Sequence, residues 1–259
     1  MRPHAVRIAS LVPSLTELVF ALGLGPRLVA RTGFCIHPAA LVAGVPKVGG
    51  TKDVNLAKLR RLAPTHVLVN VDENRRETVE ALREFVPEVI VTHPCSPRDN
   101  LALFEQLHAA FAAEPGIAGR AAELGEALAG ELACSEAKAW PAQRVLYLIW
   151  RAPWMTVARD TYIARMLATV NWRSLPEQDG GPTGAARYPV LQGKEAWLAG
   201  VDRVLLSSEP YRFDTGHLAE ANALCPAAAT QLVDGELLSW YGPRAAAGLR
   251  YLRSLAESA

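Results

Sequence analysis

The chain has 259 residues, half of them hydrophobic, and 27 Lys and Arg against 26 Asp and Glu give a formal net charge of +1. That length suits one large domain or two ordinary lobes, each able to bury a core. Near-neutral charge without a Lys/Arg stripe leaves nucleic acid no electrostatic footprint, and no apolar run approaches the length of a membrane span.

The opening Met1-Arg2-Pro3-His4-Ala5-Val6-Arg7 passes straight toward a first strand, with no apolar signal core ahead of it. Read as written, it predicts a cytoplasmic protein, or a periplasmic one if a leader has been removed. Cys35, Cys95, Cys134 and Cys225 are far apart and form no C-x-x-C pair, which is poor zinc spacing. Buried free thiols are the plain expectation, and a Cys35–Cys95 disulfide stays open.

Ile8 to Val12 reads as a buried strand that runs into Pro13. Ser14 then opens a helix that stops at Gly23, with Ser14 and Glu17 spaced as an S-x-x-E capping box. Leu28–Arg31 follows as a strand, then Val45–Gly50, then a short helix from Asn55 to Leu62. Ala63-Pro64-Thr65 breaks that helix before the strand His66–Val71. A helix over Arg75–Phe85 leads to the strand Glu88–Thr92. This is the βα rhythm of a parallel sheet with helices on both faces.

Two helices follow. Asn100–Ala112 carries Leu101, Phe104, Leu107 and Phe111 at helical spacing. After Glu114-Pro115-Gly116, a long helix to about Lys138 carries Ile117, Ala121, Leu124, Leu128 and Leu132 on one stripe. Such a helix with no strand beside it reads as a connector. The second half then repeats the opening plan. Val145–Trp150 is an apolar strand, a loop rich in large side chains follows, and a helix runs from Thr161 to Val170. Beyond the Gly/Pro-rich stretch 178–184 come a short helix at Gly193–Ala199, the strand Arg203–Ser208 and a surface helix from Tyr241 to Leu255. The expected architecture is α/β, with two mainly parallel-sheet lobes joined by one long helix. Its boundaries are 1–114 for the N-terminal lobe, 115–139 for the connector and 140–259 for the C-terminal lobe.

Several blocks then resemble a known family. Pro13-Ser14-Leu15-Thr16-Glu17 with Ala21-Leu22-Gly23 is similar to the start of class III, helical-backbone substrate-binding proteins of ABC importers. Pro46-Lys47-Val48-Gly49-Gly50, Asn55-Leu56, Pro64–Val69, Val204–Tyr211 and Ser239-Trp240-Tyr241-Gly242-Pro243 match later blocks in order, closest to the cobalamin-binding branch. The resemblance implies a ligand cleft between lobes and a non-enzymatic binder of cobalamin or another corrinoid. A ferric siderophore, haem, or a role as a cytoplasmic sensor stays as the alternative. It also implies one permease-docking glutamate per lobe. This chain has Ala57 and Lys194 at those places, which argues against importer docking. A monomer is expected, with no catalytic cofactor.

Candidate ligand residues lie where strands end. Phe34 falls where the family often has an aromatic contact. His37 is a candidate metal ligand through a neutral ring nitrogen, although a backbone-bonded loop histidine is the commoner role. Gly50 and Thr51 sit in a Gly-Gly-Thr stretch that either approaches a ligand or merely turns. Asp72-Glu73-Asn74 is expected to cap the next helix, with ligand contact second. Trp150, Arg151 and Trp154 crowd one loop, and two tryptophans outside a strand must cover something. Tyr211 and Arg212 follow another strand end, and Tyr188 is a further candidate. No G-x-S-x-G, P-loop or H-E-x-x-H motif appears. Ser10, Ser14, His37 and Asp72 could in principle meet as a hydrolytic set, but capping already accounts for Ser14 and nothing activates Ser10 locally, so an enzyme is not expected.

Overall fold

The computed structural model describes residues 5–258; the first four residues of the N-terminal reading lie outside it. The chain divides into two compact units. One runs to Pro94 and includes Leu101–Glu126. The other comprises Cys95–Asn100 and everything from Ala127 onward.

In the first unit the order is β1 (Ile8–Ser10), α1 (Pro13–Ala21), β2 (Leu28–Arg31), α2 (Ala39–Val42), α3 (Leu56–Arg61), β3 (His66–Asn70), α4 (Arg76–Arg83) and β4 (Glu88–Thr92). The four strands form one sheet in the order β2-β1-β3-β4, every pair parallel. The central strands are near-continuous apolar runs because the sheet is covered on both faces. Ile8, Ala9, Val67, Leu68 and Val69 have no exposed surface at all.

Helices α5 (Asp99–Ala110) and α6 (Ile117–Glu136) come next. The boundary between the units falls inside α6, after Glu126, and a second one falls at the start of α5, after Asn100. The α6 stripe behaves as its spacing requires: Ile117, Ala121, Leu128 and Leu132 are buried, and Leu124 is half-buried.

The second unit continues with β5 (Gln143–Leu148), α7 (Tyr162–Ala168), β6 (Trp172–Ser174), β7 (Arg203–Ser207), α8 (Leu218–Leu224), β8 (Ala229–Val233), α9 (Gly235–Ser239) and α10 (Ala245–Glu257). Its sheet runs β6-β5-β7-β8, again all parallel. The two units therefore share one strand order. The α/β reading with two parallel sheets holds, and the halves are separate sheets.

Several local expectations change. Helix α1 starts at Pro13, with Val12 as an extended N-cap and no side-chain cap. Proline suits the first helical position because its missing N–H is not needed there. Ser14 is buried with an unpartnered hydroxyl, so the capping box does not form. Thr16 takes the local role instead, its hydroxyl bonding the Val12 carbonyl at 2.9 Å beside Ser10 Oγ at 2.8 Å. The Asp72–Asn74 stretch does not cap α4, whose N-cap is Arg75 without a side-chain bond. Asn55 does cap α3, accepting from the Lys58 N–H at 2.8 Å. The expected helix at Gly193–Ala199 is a 3₁₀ turn at Ala196–Gly200.

The C-terminal helix begins at Ala245 rather than Tyr241 and is an amphipathic surface helix, with Ala247, Arg250 and Ser254 exposed. Ala245, Gly248, Leu249 and Leu252 are buried. Gly248 permits close approach to α9: a Cβ there would sit 2.1 Å from the Leu237 carbonyl oxygen. No cysteine is in a disulfide; Cys35 and Cys225 are buried, but Cys134 is exposed.

Helix α10 is tied to the second half of α6 through Glu131. Arg250 Nη2 donates to Glu131 Oε1 at 2.6 Å, and Arg253 pairs with its other oxygen. Burial alone would raise this carboxyl, but the bonds from Arg253 and Arg250 outweigh it and hold Glu131 below its ordinary value. A depressed carboxyl stabilises above its ordinary titration range and loses that contribution as pH falls through the lowered value. Glu131→Gln is expected to cost about 2 kcal/mol at neutral pH, the worth of charge-assisted bonds. The difference from wild type should shrink as urea denaturation is repeated below about pH 4, where the unfolded carboxylate protonates.

Candidate ligand-binding loops

In each sheet the chain leaves a central strand for its outer neighbour and then crosses to the opposite side. The reversal falls between β1 and β3 in the first unit and between β5 and β7 in the second. Open α/β sheets place ligands beyond the carboxyl ends of strands at such a switch point. The loops that meet there are the natural candidates, and each unit fills its switch point differently.

In the first unit the filling is polar. Asn74 is 5% exposed, and its side-chain amide donates to the Thr51 carbonyl at 2.9 Å and to the Leu11 carbonyl at 3.4 Å. Its oxygen accepts from the Asn70 N–H at 2.9 Å. One buried side chain thus joins the loop after β1, the Gly-Gly-Thr loop and the end of β3. Asn70 in turn accepts from the Asp72 N–H at 2.8 Å, which explains why this stretch folds back on itself rather than capping α4.

The Gly-Gly-Thr stretch is first of all a turn. Gly49 has φ +102°, and a Cβ there would lie 2.3 Å from the Asp53 carbonyl oxygen. Gly50 N–H closes the turn on Asp53 at 3.1 Å. A Cβ on Gly50 would meet the Phe34 ring at 3.3 Å, so Gly50 leaves room for that ring. Phe34 is 64% exposed and Ile36 50%. His37 is half-buried and belongs to no cluster of three or more potential metal ligands among the described residues.

Lys52 Nζ donates to the Asp72 carbonyl at 2.6 Å, and desolvation lowers its pKa while Glu73 and Asp72 pull it back. The adjoining groove of about 550 Å³ sets Lys52 and Arg75 against Asp53 and Glu77, with Val54 and Leu56 also in its lining.

In the second unit the filling is aromatic. Trp150 follows β5, and Tyr211 follows β7 with its N–H bonded to the Ile149 carbonyl at 3.3 Å. The two rings meet edge to face, centroids 5.6 Å apart. Tyr211 also packs on Phe213 at 4.7 Å, and its hydroxyl lies 3.1 Å from His217 Nε2. His217 Nδ1 accepts from the Asp214 N–H at 3.1 Å within a capping box, so the turn that fixes this imidazole also fixes the Tyr211 ring.

The tryptophans part ways. Trp154 stacks on Phe213 with an interplanar angle of 6° and is half-buried against the core of its own unit. Trp150 is 41% exposed. A tight turn joins them, with the Met155 N–H on the Trp150 carbonyl at 3.1 Å.

Arg151 is engaged by Glu220, its Nε 2.7 Å from Oε2. Arg212 is exposed and makes no ion pair among the described residues. Tyr188 is half-buried beside Arg187, whose guanidinium is buried against the Gly181 carbonyl at 2.8 Å and Asp160 at 3.6 Å. Sequence reading passed over Asn74 as a binding-loop clamp, gave Phe213 no role within its strand-end segment, and passed over His217 and Arg187 entirely. Only His217 had a usable signal, its i,i+3 spacing from Asp214 in a short turn.

Ser10 and Ser14 offer no exposed nucleophile, since they are 0% and 3% exposed. Burial also pushes the Cys225 thiol up to about 11 and raises that of Cys35. These are inert thiols.

No family model matches the sequence. A vitamin B12-binding protein of Vibrio vulnificus (strain YJ016) is 32% identical over 101 residues, 39% of this chain and 37% of that relative. The chain thus spans little more than a third of the length of the curated relative it matches. The crystal structure of the periplasmic vitamin B12 binding protein BtuF of Vibrio cholerae superposes with a TM-score of 0.79, covering 97% of this chain and 96% of that one at 18% identity. A periplasmic heme binding protein from Pseudomonas aeruginosa gives a TM-score of 0.78 over 98% of this chain and 93% of that one, at 22% identity. The fold is that of the class III substrate-binding proteins of ABC importers. The resemblance read from the sequence blocks is borne out, and these relatives and structural neighbours are named as binding proteins, not enzymes.

The different burial of the two tryptophans gives a direct check. Trp154→Ala should cost about 3 kcal/mol in urea denaturation, as for a packed aromatic. Trp150→Ala should cost less than about 1 kcal/mol, as for a half-exposed ring at a loop.

Proposed function

We propose that the chain binds, as a monomer and without catalysis, a large flat metal-containing molecule, most specifically cobalamin or another corrinoid. The observation that carries this reading is the placement of exposed apolar side chains. Six large hydrophobics are exposed among the described residues, and Phe34, Ile36, Leu41, Trp150 and Val190 all lie in connections that leave strand carboxyl ends. Exposing such groups costs solvation free energy unless a partner covers them. A corrin ring offers broad apolar faces with amide arms, which suits aromatic walls flanked by single polar anchors. In this reading the candidate ligand contacts are Phe34, Gly50 and Thr51 in the first unit and Trp150, Trp154, Tyr188, Tyr211 and Arg212 in the second. Trp154 acts from behind by backing Phe213, and Arg151 through its pairing with Glu220.

The vitamin B12-binding relative supports the corrinoid. Heme-binding structural neighbours support haem as the second ligand, in which case His37 is the candidate axial donor. An anionic ferric siderophore would select several free cations, and Arg151 is already paired.

The proposal extends to the partner. In this family a carboxylate on each lobe meets arginines of a permease, whereas Ala57 is exposed on α3 and Lys194 is exposed near the second sheet. A neutral group and a cation there would weaken such docking.

Titration of intrinsic tryptophan fluorescence with cyanocobalamin, cobinamide, hemin and a ferric siderophore tests the ligand. Saturable quenching by the corrinoids is expected, and Trp150→Ala should raise their Kd about 30-fold, the weight of one aromatic anchor. Quenching by hemin alone would replace the corrinoid with haem. No quenching by any of the four would remove the reading.

A further inference from the structure

Arg31 ends β2 and is only 4% exposed, yet no carboxylate pairs with it among the described residues. Burying a guanidinium without a counter-ion is costly unless its protons are well satisfied. Main-chain oxygens do that here. Nε donates to the Val42 carbonyl at 2.9 Å, while Nη1 donates to the Cys35 carbonyl at 3.0 Å and the Thr32 carbonyl at 3.2 Å. One planar fork therefore holds the first residue, the middle and the last residue of the segment 32–42.

That segment carries an unusual burden. Phe34, Ile36 and Leu41, half of the exposed large hydrophobics among the described residues, all lie on it. Between the first two, Cys35 turns inward, its Sγ 3.1 Å from Thr32 Oγ1 and 3.8 Å from the Ser10 carbonyl oxygen. An unrestrained loop of this composition would reduce its exposed apolar area by collapsing onto its neighbours. Its alternation of out, in and out is kept by bonds to the backbone rather than by packing of the exposed rings.

We propose that Arg31 is a positioning residue that clamps the 32–42 loop, so that Phe34 and Ile36 form a rigid apolar rim before any ligand arrives. The role of the rim rests on the ligand reading above; the clamp itself does not. Rigidity in the free state spares the ordering cost that binding would otherwise meet. Lysine cannot substitute, because a compact ammonium lacks the two-sided fork that reaches Val42 on one edge and Thr32 and Cys35 on the other.

Hydrogen exchange and ligand titration on the full chain test this together. In the ligand-free wild type, amides of 33–42 should exchange more slowly than those of the glycine-rich stretch 181–186. Arg31→Lys should speed exchange at 33–42 about tenfold and raise the Kd for cyanocobalamin about tenfold, the loss of one charge-assisted bond. The double variant Phe34→Ser, Ile36→Ser should weaken binding to a similar degree with loop protection unchanged. Equal exchange of the two segments in the wild type would overturn the clamp even if Arg31→Lys fails to fold. Wild-type affinity in a folded Arg31→Lys protein would overturn it as well. If the wild type binds neither cyanocobalamin nor hemin, the ligand reading fails, while the exchange measurements still decide the clamp.

Discussion

Parallel strand pairing is the constraint from which the rest follows. A parallel neighbour can be reached only by a crossover, so every strand hands its chain to a loop at the same edge of the sheet. All carboxyl-end loops of a unit therefore share one rim, and residues distant in sequence meet there without any local propensity to do so. Leu11, Thr51 and Asn74 meet in this way in the first unit. Trp150 and Tyr211 do so in the second. The shared strand order, with the central strand followed by an outward step and then a crossing, puts a switch point in each sheet.

The two switch points have opposite chemistry, and that difference is informative. Hydrogen bonds among buried asparagines make a stiff polar floor, because each missing partner would leave a buried group unsatisfied. Aromatic rings make a broad wall whose geometry is set by edge contacts and by one hydroxyl–imidazole bond. The half-buried Tyr211 ring is held by His217 and the buried Phe213, and the exposed Phe34 ring fits the space that Gly50 leaves.

Sequence made the architecture legible where the signal was periodic or capped. The buried runs Val67–Val69 and Val145–Leu148, the Asn55 cap and the α6 stripe each follow from residue type and spacing, and the structure contains them. Short elements were not legible: β6 has three residues, and β8 alternates too weakly to stand out from a loop. The N-terminus of α1 misled because S-x-x-E spacing allows a capping box that Pro13 makes unnecessary. Within the candidate site, residues at strand ends were visible as bulky or glycine-rich stretches. Arg31, Asn74 and His217 were not: the crossovers bring distant carbonyls to Asn74, whereas Arg31 and His217 find theirs only once the loops beside them fold back. Arginine at a strand end gives no hint that three carbonyls surround it.

Amide chemical-shift mapping on the labelled chain during addition of cyanocobalamin tests the central claim most directly. The account predicts shifts concentrated at Phe34, Thr51, Trp150 and Tyr211, on the carboxyl-end rims, with the opposite edges near Thr65 and Asp202 unmoved. Shifts centred on those opposite edges, or none at all at a saturating ligand concentration, would contradict it.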